Sequence, residues 1–195
     1  MAMDALTAIA TRRSVPRLVA PGPDEVTLER LLQAAVAAPD HGQLQPWRFV
    51  VIEGDARERL GEVFARAHAA REPDADPGAL DKTACKPLRA PTIVAAVSTP
   101  FTPEEAWNGK SVPAWEQEAA VAAAVQNLCL AAHAMGLGAM WRTGWFGDAP
   151  EVREAMALRE PDRIIGWVYL GTVPASHRPA PRRPAEMDAV VQRWT

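Results

Sequence analysis

Arg12, Arg13 and Ser14 stand side by side near the start of the chain, at the end of a short amphipathic segment. Two guanidiniums beside a hydroxyl form a receptor for a phosphate-bearing ligand. Arginine presents planar, paired donors that match phosphate oxygens, and serine adds a short donor. Two later groupings add to this chemistry. Asp40-His41-Gly42-Gln43 sets donors and acceptors in a loop after the stop at Pro39. Trp141-Arg142-Thr143-Gly144 joins an aromatic ring, a cation and a hydroxyl to a glycine, where backbone can approach a ligand closely. Arg182 and Arg183 add charge near the C-terminus. Each grouping also has a plain structural reading: Arg12 as a surface cation, His41 as a loop hydrogen-bonder, Trp141 as core.

Other chemistries find less support. His41, His68, His133 and His177 are far apart and share no metal-ligand spacing with cysteines or carboxylates. There is no GxSxG elbow and no phosphate-binding P-loop. Gly136-Leu137-Gly138 follows a helical stretch and precedes a strand-like one, the wrong order for a dinucleotide fingerprint. Glu116 and Glu118, two residues apart on a helix, point to different sides, and the helix dipole is their expected partner. Cys85 and Cys129 fit buried small apolar residues, with a redox or catalytic thiol as the other option. Seven tryptophans against one tyrosine is an unusual balance. Trp107, Trp115, Trp141 and Trp145 fall in one stretch, as core, as interface, or as a wall for a planar ligand.

The elements that must position these residues follow from periodicity. Helices are expected over 4–12, from 24 towards Pro39, from 55 onward, over 79–85, over 115–135 and over 150–158. The stretch 119–125 holds only Ala and Val, so its helix is expected to be central. Buried strands are expected over 48–53, 92–98, 138–143 and 164–170, the last interrupted by Gly166. The segment 99–113 is long, irregular and rich in proline, a pattern more often functional than filler. This alternation implies helices packed on a central sheet. At 195 residues with 48% hydrophobic and 23% charged residues, the chain can bury one core. A net charge of −3 gives no bulk attraction for nucleic acid. No apolar run approaches the length of a membrane span, and 1–13 lacks the pattern of a signal peptide. A cytoplasmic protein with reduced thiols is the expectation.

In this order and spacing, the motifs resemble the nitroreductase family of FMN-dependent oxidoreductases, most of all its small bacterial NAD(P)H nitroreductases. The likeness rests on Arg12-Arg13-Ser14, Ala38-Pro39-Asp40-His41 with Gln45-Pro46-Trp47, and Trp115-Glu116-Gln117-Glu118. It continues through Gly136-Leu137-Gly138 with Trp141-Arg142-Thr143-Gly144 and Tyr169-Leu170-Gly171-Thr172. The resemblance implies an α+β fold with a mixed or antiparallel central sheet. It implies one domain over 1–195, an intertwined homodimer with FMN at the interface, and a tail over 174–195 packed on the partner subunit. Arg12, Arg13 and Ser14 would hold the FMN phosphate and ribityl chain. His41, from the other subunit, and Gln43 would lie beside the flavin, and Trp141, Arg142 and Thr143 would line its ring. A backbone N–H near Thr143 or Gly144 would face flavin N5, and Arg182 or Arg183 would add a phosphate contact. Larger members carry a lysine two residues after the serine, near flavin N1 and O2. Here that position is Pro16, so the charge must come from Arg17 or Arg142.

The implied activity is ping-pong hydride transfer from NAD(P)H to a small acceptor such as a nitroaromatic or quinone. No side chain need act as acid or base. The alternatives are flavin destruction, reductive dehalogenation, or flavin binding without turnover.

Overall fold

The computed structural model describes residues 3–194; Met1, Ala2 and Thr195, the ends of the expected domain, lie outside the described residues. Seven helices and four strands occur in the order α1 (Ala5–Thr11), α2 (Glu25–Val36), β1 (Trp47–Glu53), α3 (Ala56–Arg71), α4 (Pro77–Ala84), β2 (Thr92–Ser98), α5 (Ala114–Ala134), β3 (Gly138–Arg142), α6 (Pro150–Ala155), β4 (Arg163–Gly171) and α7 (Met187–Val190). The strands form one antiparallel sheet in the order β1-β2-β4-β3. Every residue of β2 is buried, because helices cover both faces of the sheet.

Strand alternation divides the core in two. On one face Ile93, Ala95, Trp167 and Tyr169 meet Leu60, Val63, Phe64 and Ala67 of α3. On the other Val94, Ala96, Val168 and Leu170 meet Leu31 and Ala35 of α2 and Val121, Ala124, Val125 and Leu128 of α5. The Ala/Val helix is thus central along one side, as its composition implies. It is not covered all round: Trp115 and Ala119 are exposed.

Local chemistry sets the element ends. Asp4 caps α1 by accepting from the Thr7 N–H at 3.0 Å, and Asp24 caps α2 through Thr27 at 2.8 Å. The chain then leaves α1 along the free side of β3. Ser14 bridges to Ala139, and the Val15 N–H donates to the Ala139 carbonyl at 3.0 Å.

Gly166 does not interrupt β4 as the sequence suggests. The strand is continuous, with a register shift opposite Ala96 and Val97. The glycine makes room for an indole: a Cβ there would run into the Trp141 ring and lie 3.1 Å from the Arg142 carbonyl. Gly166→Ala is therefore expected to destabilise the fold by about 1–3 kcal/mol through overpacking, read as a lower urea midpoint. An unchanged midpoint would contradict this packing.

Candidate functional site

The three groupings do not converge on one cavity within a single chain. They lie in two separate regions.

The first lies along β3 and the chain beside it. The backbone bridge at Ser14 sets Arg12 and Ser14 against the strand that ends in Trp141-Arg142-Thr143. Arg13 is occupied: its Nη1 donates to the carbonyls of Ala10 and Arg12, both at 2.9 Å, tying down the end of α1. Arg12 makes no side-chain hydrogen bond or ion pair among the described residues. It faces α5, where His133 Nε2 lies 2.8 Å from Thr11 Oγ1. Burial, with repulsion from Arg12 and Arg13, holds His133 below its usual range. Burial is the larger cause, and the two guanidiniums add to it.

Farther along β3, a cavity of about 370 Å³ is lined by Phe64, Met140, Trp141, Phe146, Trp167 and Tyr169, with Lys86, Arg89, Arg142 and Thr143. It has three cations and no carboxylate in its wall. Arg142 Nη2 donates to the Pro16 carbonyl at 2.7 Å, and its guanidinium lies 5.2 Å from the Tyr169 ring centre. Arg142 Nε is buried without a partner among the described residues. Lys86 Nζ sits 4.4 Å from the Phe146 ring centre. Burial, then Arg89, pulls Lys86 down, and the same two causes in the same order pull Arg142 down. The cavity therefore disfavours further positive charge and accepts negative charge. Gly144, just beyond, has φ of +140°, and nothing lies within 4 Å of where its Cβ would stand. The backbone is open to a ligand there, in a conformation that other residues rarely adopt.

The second region is a groove lined by Pro39, Asp40, His41, Trp115, Glu116 and the alanines of α5. His41 Nδ1 donates to Glu116 Oε2 at 2.6 Å. This pins the imidazole and leaves Nε2 free of that bond. Gln43 sits in the same turn with φ of +54°.

Several expectations change. Glu116 pairs with His41 rather than only with the helix dipole, while Glu118 lies 3.5 Å from Arg163 on another side of the helix. The four tryptophans build no common wall. Trp141 packs on the α5 side and Trp145 on the α3 side, stacked on Phe146, while Trp107 and Trp115 are 74% and 67% exposed. Arg182 and Arg183 lie in an exposed tail. Arg17 lines a separate groove with Lys82 and Cys85, so Arg142 is the cation beside Pro16. Cys129 is buried and burial pushes its thiol up to about 11, which removes it as a nucleophile near neutral pH. Lys86 and Arg89 escaped the sequence reading; the signal was a second basic pair placed just before a buried strand.

The chain belongs to the nitroreductase family: the Nitroreductase family profile matches residues 9–172. It is 42% identical over 170 residues to the Escherichia coli protein named "Putative NAD(P)H nitroreductase YdjA", covering 87% of this chain and 88% of that one. Among solved structures, a nitroreductase-like family protein of Bacillus cereus superposes with a TM-score of 0.79 at 22% identity, over 100% of this chain and 97% of that one. A Bacteroides fragilis nitroreductase with bound FMN superposes with a TM-score of 0.73 at 23% identity, over 94% and 96% of the two chains. These superpositions establish the fold as nitroreductase-like α+β. No helix among the described residues is long and apolar enough to cross a membrane.

A phosphate dianion held at Arg12 should offset the repulsion acting on His133. The His133 titration midpoint, followed by its ring-proton NMR shift, is expected below 6.5 in the free protein and higher with saturating FMN or inorganic phosphate. A midpoint that does not move would put the phosphate elsewhere.

Proposed function

We propose that this protein is an FMN-dependent NAD(P)H oxidoreductase of nitroreductase type, working as a single-domain homodimer with two flavin sites at the subunit interface. The observation that carries the reading is the row of unanswered positive groups along β3. Among the described residues Arg12 is unpaired and Arg142 Nε is buried without a partner, and the cavity wall sets Lys86, Arg89 and Arg142 among aromatic rings. FMN fits this donor set. Its phosphate suits Arg12 and Ser14, its flat ring suits the aromatic and Met140 lining, and its carbonyl edge suits the cations. The distance between the two ends also suits it. From Ala139 to Arg142 the strand rises about 10 Å, with cations at both ends.

Bound FMN would supply the hydride chemistry, accepting at N5 from NAD(P)H and passing the hydride to a small acceptor such as a nitroaromatic or quinone. The protein's part is binding, orientation and charge. Arg12 and Ser14 hold the phosphate, while Arg13 fixes the helix end that presents them. Trp141 and Thr143 line the ring, and the open backbone at Gly144 lets it come close. Arg142, aided by Lys86 and Arg89, offsets negative charge on the ring, the task that a lysine at position 16 performs in larger members. His41 and Gln43 lie in the groove away from that cavity, and this reading assigns them to a flavin held by the partner subunit. Exposed apolar residues support such an interface: Leu6 and Ile9 on α1, Trp115 on α5, and Met187, Val190 and Trp194 in the tail.

The purified protein is expected to show flavin absorbance, after reconstitution with FMN if needed. That absorbance should bleach on anaerobic addition of NADH or NADPH, whichever is the donor. Protein that binds no FMN would overturn the reading. Flavin that stays oxidised would favour a binding protein without turnover, and flavin consumed in air would favour flavin destruction. Arg12→Ala is expected to weaken FMN binding by about 1.5–3 kcal/mol, roughly 10- to 150-fold, by fluorescence titration. Unchanged affinity in that variant would contradict the phosphate assignment.

A further inference from the structure

The chain between β2 and α5 contains turns but no helix or strand, yet it is tied down at both ends and in the middle. Gln117, buried at 2% exposure in the first turns of α5, accepts from the Phe101 N–H through Oε1 at 2.9 Å. Its Nε2 donates to the carbonyls of Phe101 at 3.0 Å and Val112 at 2.9 Å. One amide group thus staples the two ends of the excursion. At its centre, Trp107 Nε1 donates to the Gln43 carbonyl at 3.1 Å, and Asn108 Nδ2 donates to the Gly42 carbonyl at 2.7 Å. Leu44, Ala106 and Val112 bury a small apolar cluster between the excursion and the turn.

The turn so held is strained. Gly42, Gln43 and Gln45 have φ of +80°, +54° and +51°. Two of these are non-glycine residues in the left-handed region, which persist where the surroundings over-determine them. The Gln45 N–H bonds Asp40 Oδ2, and the Gln43 N–H bonds the Asp40 carbonyl at 3.2 Å. From the other side, Glu116, next to the stapling Gln117, fixes His41. The Trp107 ring itself is 74% exposed and buries little area. Its indole N–H is its tie to the turn.

We propose that the 101–112 excursion is a fixed clamp rather than a mobile lid, and that Trp107 and Asn108 are positioning residues that set His41 and Gln43 for the partner-bound flavin. The clamp holds the turn whatever the ligand; its purpose rests on the flavin reading above. It acts through the backbone carbonyls of Gly42 and Gln43.

The test is amide hydrogen exchange on the full chain, comparing wild type with the double variant Trp107→Phe, Asn108→Asp. Phenylalanine keeps an exposed ring and loses the donor. Aspartate keeps the acceptor for the Lys110 N–H and sets a carboxylate against the Gly42 carbonyl. Exchange at Gln43 and Gln45 is expected to rise about tenfold, while amides in β2 and α5 keep their rates. Unchanged exchange at the turn would overturn the clamp, and so would an equal rise throughout the chain. FMN titration of the same variant reads the positioning role, with affinity expected to fall about tenfold. Loosened exchange with full FMN affinity would overturn His41 and Gln43 as its targets. If the wild type binds no flavin, the proposed function fails, and exchange still decides the clamp.

Discussion

The site depends on how the free edge of β3 is satisfied. An edge strand carries a row of unpaired N–H and C=O groups that must find partners. Here the chain leaving α1 supplies them, with Ser14 opposite Ala139 and the Val15 N–H on the Ala139 carbonyl. Arg142, three residues along the same strand, reaches back to the Pro16 carbonyl. These two links lock 14–16 and 139–142 in one register. A slip of one residue would turn Arg142 away from the Tyr169 ring and out of the cavity, because strand side chains alternate. Arg12-Ser14 and the cationic cavity are thus spaced by backbone geometry rather than by side-chain fit.

The charges in the cavity have their own cost. Burial depresses both Lys86 and Arg142, and no carboxylate in the lining compensates them. The rings of Phe146 and Tyr169 supply partial compensation through their faces. The remainder is left uncompensated among the residues that line the cavity. The same logic applies to Arg12, whose field is felt at His133 and Cys129 without any partner carboxylate among the described residues. Such uncompensated charge is poor for stability and good for binding, a common trade at functional sites.

The sequence was most legible where the signal lies in consecutive residues. Asp4 and Asp24 announced their helices as caps, β2 announced itself as a continuous apolar run, and the Ala/Val stretch of α5 marked a central helix. Arg12-Ser14 and Trp141-Thr143 stood out as consecutive groupings, and the structure sets the two segments side by side. What escaped required tertiary pairing. The His41–Glu116 bond joins residues 75 apart in sequence. Lys86 and Arg89 enter the cavity because the short 3-10 turn Pro87–Arg89 places them at the head of β2. Arg13 read as a ligand residue, and in the structure its Nη1 also ties down the end of α1, a role that composition does not reveal. Gly166 read as a strand breaker, and proved to be space for the Trp141 ring.

If β3 and its bridging chain bind a ring and a phosphate at once, removing the phosphate alone must weaken the ligand. Calorimetric titration of the flavin-free protein with FMN and with riboflavin, which lacks the phosphate, tests this most directly. Riboflavin cannot form the two charge-assisted hydrogen bonds at Arg12 and Ser14, so FMN is expected to bind at least about 100-fold more tightly. Equal affinities would contradict the account, since Arg12 and Ser14 would then hold nothing.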